Sequence, residues 1–168
     1  MRINLKKRIE FKINKYLENE NMKIFYNKQQ TVESFVSESP SAGKPKLVVQ
    51  AWKKLGYPVE IMKVRPLNID ELSLAHNSSY VRGVLDGKIK NGFDNKDKNL
   101  SKSLLWTTGS FVSAAVHAHQ HKESTFSPSS GFHHACYDQA AGYCTFSGLS
   151  IAAILLKKRL SWRKSLTK

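Results

Sequence analysis

Apolar positions come along this chain in short bursts whose period switches between two and about 3.6, the pattern of strands interleaved with helices. Lys23 to Tyr26 reads as a short strand after an Asn-, Lys- and Glu-rich stretch, and the change of texture at Met22 marks a plausible original start. Leu47, Val48, Ala51, Trp52 and Leu55 repeat at helical spacing, with Gly56 placed where a helix end needs a residue tolerant of positive φ. Val59, Ile61 and Val64, separated by other residues, read as a strand. Asn68 and Glu71 stand three apart just before Leu72, a capping-box pattern that starts a short helix, and a second helix is predicted over Tyr80 to Leu85. Leu104, Leu105, Phe111, Val112, Ala115 and Val116 predict a buried helix ending in a His-rich turn. Thr125 and Phe126 form a strand tip, and Leu149 to Leu156 a further buried helix. Strands alternating with helices place the chain in the α/β class with a parallel sheet.

Three stretches break the pattern. Residues 31–43 are Ser-, Pro- and Glu-rich and read as an irregular loop. Between Gly87 and Lys102 lies a polar loop, long enough for a function and equally readable as solvated linker. Ser127 to Tyr143 is rich in Gly, Ser and His and follows a strand end, where α/β proteins place their sites.

Composition narrows this picture. The 168 residues are 40% hydrophobic and 24% charged, which describes a packed domain and not a disordered tail. The net charge of +14 invites a nucleic-acid reading, but the charge is uneven. Residues 1–21 carry six Lys or Arg against three Glu and residues 157–168 six against none, leaving 15 against 10 between them. The middle is only mildly basic, so a nucleic-acid partner is not expected. The most continuous apolar run, Leu149 to Leu156, falls far below the roughly 20 residues that cross a bilayer, and the charged first 21 residues lack a signal-peptide core. Two cysteines, Cys136 and Cys144, do not make a disulfide framework, so a reducing cytoplasm is the expected setting.

Candidate chemistry centres on the adjacent His133 and His134. Two neighbouring imidazoles can divide proton acceptance and donation in a hydrolysis, or simply sit at the surface. His117, His119 and His121 alternate, and on a helix His117 and His121 share a face as some metal ligands do, yet no third ligand lies at a known spacing. His76 reads as structural and Cys144 as an inert buried thiol.

The run from Ser130 to Ala153, with its Phe132-His133-His134 and Gly142-Tyr143, resembles the His-His loop and following helix of the histone deacetylase family. Lys23 to Tyr26, Ser39 to Pro45, Ala75 to Val81, Asn91 to Phe93 and Gly109 to Val112 line up in order with its bacterial members, so the resemblance spans 22 to about 156. It implies a three-layer parallel-sheet fold of the arginase and deacetylase type, present in part. It also implies a narrow channel that leads an acetylated amine, such as acetyl-lysine or an acetylpolyamine, to zinc. His134 would then act as general base and acid, and His133 would stabilise charge. Tyr143 and the backbone of Gly142 would line the channel, with Phe132 as lining or core anchor and Asp94 or Asp97 as rim carboxylate. The family's usual Gly before the histidines is Phe132 here, and its usual Asn is Ser147. The family's zinc ligands follow the helix ending near Ala153, whereas no Asp, Glu or His follows Asp138. The reading is thus a basic extension (1–21), an amino-terminal deacetylase-like part (22–156) and a basic tail (157–168) outside the resemblance. On this reading the chain alone binds no zinc and does not hydrolyse, and an exposed sheet edge lets it self-associate. The alternative is a non-catalytic basic binding protein for nucleic acid or an acidic partner.

Overall fold

The computed structural model describes residues 21–33, 37–129 and 131–166, with side chains through Lys158. The basic extension expected over 1–21, Asn21 apart, lies outside the described residues. Three strands, β1 (Met22–Phe25), β2 (Val59–Met62) and β3 (Thr125–Phe126), form a parallel sheet in the order β2-β1-β3. Met22 pairs with Val59 and Phe25 with Met62 on one side, and Lys23 pairs with Thr125 on the other. β1 is central, so Ile24 and Phe25 are buried, while the edge strand β2 keeps Ile61 exposed. Val64 lies beyond the end of β2, not within the strand as its spacing suggested, and is buried beside Phe25 and Ala114.

Parallel strands require crossovers, and helices supply them. α1 (Lys44–Lys54) joins β1 to β2, with Pro45 in its first turn and Gly56 at φ 77° after its end, as the sequence requires. Its buried stripe is Pro45 and Val49, leaving Leu47 and Leu55 exposed. From β2 the chain passes through α2 (Ile69–Leu72), α3 (Ser78–Leu85) and α4 (Lys98–His121) to β3, and α5 (Gly148–Leu166) follows. The capping box before α2 forms: Asn68 Oδ1 accepts the Glu71 N–H at 2.8 Å, and Glu71 accepts the Asn68 N–H at 3.0 Å. Arg65 chelates the same carboxylate and holds its pKa below the ordinary value.

Two helices are longer than their apolar patterns suggest. α4 begins at Lys98, inside the expected polar loop, because Asp97 caps it, and it carries the histidines of the expected turn on its last two turns. α5 continues past residue 156 to Leu166. α4 lies against one face of the sheet through Phe25, Val64 and Ala114. Ile24 alternates to the other face, and its register partner Phe126 meets Trp52 of α1 there, so the layers run helix, sheet, helix. On the far side of α4 the largest cluster packs Leu67, Leu72, Val81, Val84, Phe146 and Ile151 among α2, α3, α4 and α5.

Candidate active site

Residues 131–147 lead into α5, and their course is set largely by His76, just before α3. The ring is 1% exposed. Its Nε2 accepts the Ser147 N–H at 2.8 Å, so Nδ1 carries the proton and donates to the Tyr137 carbonyl at 3.2 Å. The same carbonyl accepts the Asn77 N–H at 2.9 Å. One neutral imidazole thereby joins two points ten residues apart in the loop. Tyr80 adds a third tie, its hydroxyl donating to the Thr145 carbonyl at 2.8 Å. Burial raises the Tyr80 pKa, which keeps it a donor. The structural role read for His76 thus acquires named partners, which lie 61 and 71 residues away.

Desolvation lowers the pKa of His76 below the ordinary 6.5. The folded state therefore refuses a proton that the unfolded chain accepts, so this contribution is complete above about pH 6.5 and is lost as pH falls towards the folded-state pKa. Urea unfolding from pH 8 to 5 should show stability falling below pH 6.5 by no more than about 1.4 kcal/mol per pH unit from this group. His76→Phe should lack that component. An identical pH slope in the variant would assign the effect elsewhere.

The paired histidines stand at the surface of this anchored loop. Phe132 is buried on Phe111, ring centroids 4.9 Å apart, and so anchors the loop beneath them. His133 and His134 are both exposed, their rings 4.0 Å apart and inclined at 44°. Next to them Ala141 to Cys144 form a tight turn, with Cys144 N–H on the Ala141 carbonyl at 2.8 Å and the reciprocal bond at 3.1 Å. Its central residues, Gly142 and Tyr143, have φ of 51° and 63°, both positive as in a type I′ turn. A Cβ on Gly142 would lie 2.6 Å from Cδ2 of His134, so the missing side chain makes room for that imidazole. Tyr143 pays backbone strain at positive φ, and its half-exposed ring lies 5.9 Å from that of Phe93. The segment Asn91 to Phe93 clips the turn from outside: Gly92 N–H donates to Thr145 Oγ1 at 2.8 Å, and Gly92 carbonyl accepts the Tyr143 N–H at 3.0 Å.

Open depressions flank the turn. One of about 460 Å³ is lined by Glu38, Phe93, Asp94 and Tyr143, and another of about 410 Å³ by Tyr80, Asp94, Asp138 and Gly142. Asp94 borders both, exposed and paired with Lys90 at 2.8 Å. Asp97 is engaged differently, accepting the N–H groups of Asn99 and Leu100 at 2.7 and 3.1 Å. The structure thus separates the two candidate carboxylates, bringing Asp94 to the turn and spending Asp97 on a helix cap. Among the described residues the Cys136 thiol donates to the His134 carbonyl, but neither imidazole ring, of His133 or His134, joins a group of three clustered metal-ligating side chains. Cys136 is exposed and Cys144 buried, both free thiols. A zinc ion needs about three protein ligands, so the residues gathered at the histidine pair do not fit one.

The histone deacetylase domain, as a family, matches residues 39–166. No curated protein matches the chain. Two solved structures superpose on 83% of it: the HDA15 HD domain, at 15% identity with a TM-score of 0.69, and an acetylpolyamine aminohydrolase from Burkholderia pseudomallei, at 16% and 0.64. The chain spans about half the length of these structures, 44% and 54% respectively. At such identity the likeness concerns the fold, a parallel sheet between helices.

Proposed function

The chain belongs to the histone deacetylase family, and from that premise we propose that it carries the proton-transfer and channel-wall part of an amidohydrolase that removes acetyl groups from acetylated amines. The observation that carries the reading is Gly142, whose bare Cα makes room for the ring of His134 against the turn that carries Tyr143. His134 is the general base that takes a proton from water and returns it to the leaving amine, and His133 stabilises the charge that develops. The alkyl chain of an acetyl-lysine or acetylpolyamine lies along the exposed ring of Tyr143 and the backbone of Gly142, with Phe93 buried behind Tyr143 and Phe132 anchoring the loop. Asp94, at the rim, accepts a hydrogen bond from the substrate's polar end. Asp97 remains a cap.

Zinc belongs to the family's chemistry, and the residues around this histidine pair do not supply its ligands, so residues 22–156 do not hydrolyse amides on their own. The extension at 1–21 lies outside that unit, whereas the charged stretch after residue 156 continues α5 to Leu166 within the family match. Among the described residues the outer edges of β2 and β3, with Ile61 and Phe126 exposed, carry no further strand and offer backbone through which copies associate. The two free thiols suit a reducing cytoplasm, and no described helix is long and apolar enough to cross a membrane. An acetyl-lysine reporter and an acetylated polyamine, each with added zinc, should show no turnover by the full chain above that of His134→Ala. Zinc-dependent turnover abolished by His134→Ala would overturn the inactivity and leave the role of His134 standing.

A further inference from the structure

At the end of α4, away from the paired histidines, three metal-ligating side chains converge. His117 and His121 occupy successive turns of one helix face, and their rings stack with centroids 4.2 Å apart. Lys122 then takes a left-handed conformation, φ 59°, which reverses the chain and returns Glu123 to the ring of His117, where carboxylate and Nε2 hydrogen-bond. Ligand atoms of His117, His121 and Glu123 all lie within 4.8 Å of one another. In sequence the pair lacked a third ligand, because the carboxylate two residues past the helix reaches back only through that left-handed turn.

We propose that His117, His121 and Glu123 form a binding site for a divalent first-row transition ion of the zinc class. Two imidazoles and one carboxylate are the donor set that suits zinc, nickel or copper, and an oxygen-loving magnesium ion is poorly served by it. Tetrahedral ligands near 2.1 Å from the ion stand about 3.4 Å apart, so small side-chain rotations close the site. The ion replaces the hydrogen bond between His117 and Glu123, with His117 taking the tautomer protonated at Nδ1, and water completes the coordination. The helix C-terminus contributes negative partial charge from its last carbonyls. Lys23 holds both carboxylate oxygens of Glu123 at 2.7 Å, so when one turns to the ion the other stays anchored to β1. The site thereby ties the end of α4 to the central strand. It uses neither His133 nor His134.

Zinc chloride titrated into the metal-free full chain, followed by calorimetry and elemental analysis after gel filtration, tests this. One zinc per chain is expected, with binding at least about tenfold weaker in His121→Ala and in Glu123→Gln. Because His121 is exposed, its loss should leave the fold intact, which the far-ultraviolet circular dichroism of the variant checks. His119→Ala and His134→Ala should bind as the parent does, and magnesium should not compete. Cobalt substituted for zinc should give the visible absorption of a low-coordinate nitrogen and oxygen site, lost in His121→Ala. Absence of binding to the parent chain, equal affinity in His121→Ala, or loss in His134→Ala would each overturn the proposal.

Discussion

Gly109→Val should destabilise the protein by about 3 kcal/mol and lower its melting temperature by roughly 10 °C, at the upper end for a single overpacking substitution. Gly109 lies in the middle of α4, where the helix crosses the segment leading into α2. A Cβ there would stand 2.1 Å from the Arg65 carbonyl oxygen and 3.3 Å from the Leu67 nitrogen. Both obstacles are backbone, and the adjoining bond from Leu67 N–H to the Leu105 carbonyl, 3.1 Å, fixes the approach. Relief therefore requires the two segments to part, opening the cluster that holds Leu67, Leu72 and Val112. Gly43→Ala is the comparison, since its Cβ would meet only the Val32 carbonyl at an ordinary 3.6 Å. Urea unfolding that ranks the two substitutions equally would show that the contact at Gly109 is not rigid.

Gly142→Val should be the most damaging change at the site. Valine is β-branched and resists a φ of 51°, and its Cβ would collide with the His134 ring at 2.6 Å. The strain alone costs about 1–3 kcal/mol, and the imidazole must leave its position against Gly142. Because Gly142 is exposed, the substitution should leave the helical content near that of the parent while shifting the ring resonances of both His133 and His134. Unchanged histidine resonances would mean that the turn does not position the pair.

What the sequence disclosed and what it hid follow the distance over which each signal acts. The capping box at Asn68 and Glu71, the helix end at Gly56 and the strand, read over Lys23 to Tyr26 and found one residue earlier at Met22–Phe25, were legible because each depends on neighbours within four residues. The start of α4 was hidden because its first turn, Lys98-Asn-Leu-Ser-Lys, is polar, although Asp97 before it was a readable cap. The end of α5 was hidden in the same way, since Lys157 to Leu166 carries too many charges for apolar periodicity to stand out. At the site, His133, His134, Gly142 and Tyr143 were named from their resemblance to a family motif, and the physical reason for their spacing emerged only in three dimensions. His76 and Tyr80 serve the loop across 71 and 65 residues, and no local pattern announces such a partnership. The contribution of Glu123 to the histidine pair on α4 was equally invisible, because it depends on one backbone conformation at Lys122.

The central claim is that the turn at Gly142 and Tyr143 sets His134 beside a channel wall for an acetylated alkylamine. Titrating the parent chain and Gly142→Val with an N-acetyl-lysine amide, and following the aromatic resonances of Phe93, Tyr143 and His134 by NMR, tests it most directly. The account predicts weak saturable shifts at those three rings in the parent, none at Trp52 or Phe126 on the other face of the sheet, and their loss in Gly142→Val. Shifts that spare Phe93 and Tyr143, or that survive unchanged in Gly142→Val, would contradict it.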